Sequence, residues 1–133
     1  MGNHIEHAKH NKDFIDCLCN HFPEQFFDWK TTALFYEALH LLKEYAETQQ
    51  VDLGGTHEKI SEAVNPASAK KVIKLEPDEY KNYNRLYTLS RSARYEGFTD
   101  IETFQKLKAS DYEIATQYSK RWKAYMKKLG LDF

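Results

Sequence analysis

Only 5 glycines and 3 prolines interrupt the 133 residues, and between them the apolar residues recur at three- and four-residue steps. Few breakers and a helical period leave room for long helices and little else. The first segment, about Asn3 to Asn20, spaces Ile5, Ala8, Phe14, Ile15, Leu18 and Cys19 in this way, with Asn3 placed to cap it. After Pro23 a long helix is expected from about Glu24 to Gln49. Its apolar residues, Phe26 through Ala46, wrap most of the way round, as in a helix surrounded by others. Gly54-Gly55 ends that region, and Thr56 is positioned to cap a short helix over His57 to Val64. Residues 65–77 read as a polar connector.

A further helix is expected from about Asp78 to Glu96, closing at Gly97. Two capping boxes, Thr99 to Glu102 and Ser110 to Glu113, predict a short helix near 100–108 and a last one over about 111–129. On that last helix Ala115, Tyr118, Trp122, Tyr125, Met126 and Leu129 share one face and read as core. No strand pattern and no repeat appears. The expected fold is all-α: one domain over 1–133, an antiparallel up-and-down bundle of four main helices plus short extra ones.

Composition narrows the function classes. At 41% hydrophobic and 29% charged the chain reads as globular, and no stretch has the apolar length of a membrane span. The Met-Gly-Asn-His-Ile-Glu-His start lacks the basic and apolar regions of a secretory signal, so a cytoplasmic location is expected. Cys17 and Cys19 are too few for a disulfide framework. Net charge is −1 but divided: residues 1–69 carry 5 basic against 11 acidic side chains, and residues 70–133 carry 14 against 9. Such polarity suits an anionic partner or a second copy of the chain.

The chemistry-bearing residues fall in a few places. On the 78–96 helix Leu86, Leu89 and Ala93 mark an inward face. Tyr80, Asn84, Tyr87, Arg91 and Tyr95 form a separate stripe, flanked by Arg85 and Arg94. Tyr and Arg together stack on bases, contact phosphate or anchor protein interfaces, and tyrosines bridging core and solvent produce the same pattern. His40 sits mid-helix among apolar residues with Tyr36 one turn before it, a setting for a hydrogen-bonded core histidine or for an acid–base group. His57 opens the short helix, where its imidazole can join exposed N–H groups. His4, His7 and His10 recur every third residue but fan across about 120° of helix, a poor fit to one metal, so no metal is expected. No cofactor is expected either, for the chain has no glycine-rich phosphate loop, paired Cys motif or HExxH sequence. Lys120, Arg121, Lys123, Lys127 and Lys128 make the last helix basic on its outer side and also oppose its dipole.

Two blocks taken together resemble the HEPN (higher eukaryotes and prokaryotes nucleotide-binding) domain family. The first is Thr31-Thr32-Ala33-Leu34-Phe35-Tyr36-Glu37-Ala38-Leu39-His40, followed by Gly55-Thr56-His57. The second is Leu86-Tyr87-Thr88-Leu89-Ser90-Arg91-Ser92-Ala93-Arg94-Tyr95, and the Ala8 to Phe14 stretch is similar to the first helix of one subgroup. The likeness covers about residues 4–98. It implies a helical bundle, often a homodimer, of a family that includes RNA-cutting toxins and defence components, frequently with a nucleotidyltransferase-like antitoxin, as well as binding modules. The family's nucleases use Arg, four to six residues, then His. Here no histidine follows Arg85, Arg91 or Arg94, because the last one in the chain is His57.

The expectation is therefore a non-catalytic RNA- or nucleotide-binding module with Tyr36, His40, His57, Arg91, Arg94 and Tyr95 at its site. In it Arg91 and Arg94 hold phosphate, Tyr95 stacks or hydrogen-bonds, and His40 with Tyr36 lines the cleft. One alternative is a metal-independent ribonuclease toxin with His40 as acid or base and Arg91 stabilising the phosphorane. The other is a pure interaction domain whose Tyr/Arg stripe is a dimer or antitoxin surface.

Overall fold

The computed structural model describes residues 3–92 and 101–133, and the side chains of 3–91 and 105–133. Five helices follow in order: α1 (His4–His21), α2 (Phe27–Thr48), α3 (His57–Val64), α4 (Pro77–Ser92) and α5 (Ile101–Lys128). α1 packs on α2, α2 on α4 and α5, and α4 on α5. Side-chain pairings fix the directions. His4 of α1 meets His40 and Glu47 late in α2, so these two helices run antiparallel. Phe35 meets Tyr83 and Tyr87, and Tyr83 meets Trp122, while the Tyr118 hydroxyl meets Arg85. Thr32, earlier on α2 than Phe35, lies beside Ser90 and Arg91 later on α4, so α4 is antiparallel to both α2 and α5. Over the described residues the fold is the expected all-α bundle of four main helices, with one short extra helix.

α2 is the central rod. Ala33, Leu34, Phe35, Ala38, Leu41, Leu42 and Ala46 are all buried along it. Trp122 is fully buried against it and donates its indole N–H to the Ala38 carbonyl at 3.2 Å. Ala115, Trp122, Tyr125 and Met126 fill the α5 face, with Tyr118 and Leu129 packed at its margin, as the spacing predicts. The Thr56 cap is also as expected: its hydroxyl accepts from the Lys59 N–H, and α3 has the bounds read from sequence.

Several elements differ from expectation. Asn3 makes no side-chain cap bond to α1. α2 starts at Phe27 and not near Glu24, because Phe26 adopts a left-handed conformation (φ 60°). The buried Lys30 holds that entry, donating to the Phe22 carbonyl at 2.7 Å. The 65–77 connector is more than polar linker: Ile73 and Leu75 are buried, and the N–H groups of Val72 and Ile73 both donate to the Ala63 carbonyl. Tyr80 leaves the expected polar stripe for the core, beside the fully buried Tyr83. α5 is one continuous helix where two were expected. Ser110, the expected cap of the second helix, lies inside the continuous α5, and its neighbour Asp111 pairs with the buried Lys108 at 3.1 Å. The closure at Gly97, Ala93 of the inward face, and the Thr99 to Glu102 box lie outside the described side chains.

Candidate functional site

The antiparallel packing of α2 and α4 leaves a cleft of about 310 Å³ lined by Thr32, Phe35, Tyr36, Tyr87, Ser90 and Arg91. Tyr36 stands 43% exposed at its rim, an unusual placement for a large aromatic on the central helix. Phe35, one residue earlier and buried, packs edge-on against Tyr36 at 5.5 Å and against Tyr87 at 5.3 Å. Arg91 is exposed; its Nη1 donates to the Tyr87 hydroxyl at 3.3 Å and its guanidinium lies 5.7 Å from that ring's centre. The arginine is thus oriented while keeping most of its donors free to meet an anion.

Behind this pair, His57 stacks on Tyr87 with ring centres 3.3 Å apart and planes 5° from parallel. Burial, and secondarily the Arg91 charge, hold His57 below the ordinary histidine value. At neutral pH it is therefore an uncharged plate that backs Tyr87. Its Nδ1 is buried without a hydrogen-bond partner among the described residues.

The expected site is divided by the structure. Tyr36 and Arg91 line one cleft, and His57 joins them through Tyr87. His40 is not among the residues lining it. Instead its ring lies 4.9 Å from His7 and 5.6 Å from His4, both of α1. His4 Nδ1 stands 3.4 Å from His40 Nδ1, and His4 Nε2 3.3 Å from Glu47 Oε1. Burial above all, then the neighbouring His7, His4 and Lys43, lowers His40 to about 4, so it is neutral at pH 7. The expectation that His40 and Tyr36 line one cleft is corrected: α1 supplies partners that draw the imidazole into the α1–α2 seam. Arg94 and Tyr95 lie outside the described residues.

Other candidates have structural occupations. Arg85 donates to the Tyr118 hydroxyl at 3.2 Å. Lys123, from the basic outer face of α5, pairs with the buried Glu37 at 2.9 Å. Cys19 contacts the Tyr112 hydroxyl at 3.4 Å, and Cys17 is exposed. His10 is exposed, and among the described residues no group of three or more His, Cys, Asp or Glu is arranged to hold a metal ion. Likewise none of the described helices is long and apolar enough to cross a membrane. Sequence reasoning passed over Tyr87 as a site residue, although its place in the Tyr/Arg stripe was the available signal. Thr32 and Ser90, which complete the cleft, carry no signal of their own.

No family model, curated protein or solved structure matches this chain.

Proposed function

We propose that the chain is a HEPN-like RNA- or nucleotide-binding module that takes phosphate at Arg91 and a base or sugar against Tyr36. The observation that carries this reading is the α2–α4 cleft itself, where an exposed arginine oriented by Tyr87 sits beside an exposed tyrosine. An arginine fork recognises phosphate in a bidentate manner, and an aromatic face accepts any base. His57 acts from behind as a neutral support for Tyr87, not as a proton donor. The module is read as non-catalytic, because no histidine follows Arg85, Arg91 or Arg94 in the sequence and His40 faces His4 and His7 instead of the cleft.

The test is binding of labelled total RNA and of ATP across a salt series, by wild type and by Arg91→Ala plus Tyr36→Ala. The expected result is salt-sensitive binding that weakens by about tenfold or more in the double variant. Unchanged binding of every ligand overturns the reading, and RNA cleavage that survives chelator but is lost in His40→Ala replaces it with the ribonuclease alternative.

A second reading draws on Trp29, which is 58% exposed two turns before Tyr36 on α2. The two exposed aromatics suit a protein surface, either a second copy of the chain or a nucleotidyltransferase-like antitoxin. It predicts that Arg91→Glu changes oligomeric mass and leaves RNA affinity untouched.

A further inference from the structure

Three imidazoles from two helices meet where the N-terminal half of α1 lies on α2, a grouping the binding cleft does not use. His4 and His7 come from successive turns of α1, and His40 comes from the central rod. The nitrogen distances suggest a connected chain: the Glu47 carboxylate beside His4 Nε2, then His4 Nδ1 facing His40 Nδ1. With neutral rings, His4 donates from Nε2 to Glu47, so its Nδ1 accepts from the Nδ1–H of His40. Lys43, beside His40, adds a positive charge to the group, and Asp52 lines the cavity next to it together with His4 and Glu47.

We propose that the His4–His7–His40 seam is an acid-operated latch, in which protonation of His40 releases the N-terminal half of α1 from α2. The added proton charges a half-buried ring that lies 4.9 Å from the His7 ring and 5.6 Å from the His4 ring, with the Lys43 cation close by. Opening the seam returns that charge to water. Ala8 and Ile15 are the buried residues of α1, Ile5 and Cys19 pack partly buried against the core, and Asn3 makes no cap bond. The low proton affinity of His40 follows from the same burial and neighbours and places the release in acid.

The experiment is backbone amide hydrogen exchange on the full chain at about pH 7.5 and about pH 4.5, corrected for intrinsic rate. Each proton gained on release weakens the closed state by up to about tenfold per pH unit below the ordinary histidine value. Protection over residues 4–12 is therefore expected to fall by about tenfold or more at the lower pH, while residues 120–128 of α5 stay protected. In His40→Asn, which keeps a neutral polar group near the Nδ1 position, protection over 4–12 is expected at both pH values. Equal protection of wild-type α1 at the two pH values overturns the latch, as does equal loss in His40→Asn. If that variant does not fold, ring titration of His40 by NMR in the wild type decides: protonation must coincide with the loss of α1 protection, and a mismatch overturns the proposal.

Discussion

α2 has two working sides, and they are built on opposite plans. Toward α4 it offers Thr32, Phe35 and Tyr36 to an open cleft, where the charged group is a permanently cationic arginine. Toward α1 it offers the half-buried His40 to the rings of His4 and His7, where burial and neighbouring groups lower its proton affinity. One side carries a fixed charge and free surface, which suits a ligand. The other carries conditional charge and partnered nitrogens, which suits a joint. The lesson is that a histidine one turn from an exposed tyrosine need not serve the same site: the element packed against each residue decides.

The largest expected effect removes the support both sides share. Trp122→Ala deletes a fully buried indole and its bond to the Ala38 carbonyl, between Tyr36 and His40 in sequence. It is expected to cost about 3–5 kcal/mol in chemical denaturation, and a loss under about 1 kcal/mol would mean the two sides are not joined by this core.

Acid separates the two sides. His40 and His57 are both lowered, so the stabilisation each neutral ring allows is complete above the ordinary histidine value of 6.5 and declines as pH falls below it. For His40 the decline continues through about 4. Denaturation midpoints measured down a pH series should fall in wild type. His40→Asn and His57→Gln should each flatten part of that fall, and the double variant should flatten more than either. If one single variant removes all of the histidine-dependent slope, the sides are not independent.

The smallest effect is local. Thr56→Ala removes the cap on α3, the helix that begins with His57, and should cost about 1 kcal/mol. It should also weaken ligand binding slightly through a looser His57–Tyr87 stack, with no change in α1 exchange. A matching change in α1 exchange would show that the cleft and the seam communicate.

Much of the architecture is legible in residue spacing. The α5 stripe, the α3 bounds and the bundle class follow from periodicity and one cap, because those signals are local. Elements set by long-range packing are not legible. Ile73 and Leu75 are buried in a single alternating step too short to read as an element, and Ser110 to Glu113 has cap chemistry inside a helix that packing keeps continuous. Of the candidate site, Tyr36, His57 and Arg91 are legible from residue type and spacing, and they meet around Tyr87. The seam was not readable as a unit. His4 and His7 stand more than thirty residues from His40, and their meeting depends on the antiparallel docking of α1 on α2. In the sequence they suggest a metal motif and a lone core histidine.

In the proposed binding module, ligand recognition belongs to the Arg91 side of α2 and not to the His40 side. The most direct test compares RNA affinity across a salt series for wild type, Arg91→Ala and His40→Asn at neutral pH. Arg91→Ala is expected to weaken binding by about tenfold and to reduce the salt slope by about one contact, while His40→Asn tracks wild type. Equal losses in the two variants, or a loss confined to His40→Asn, would contradict it.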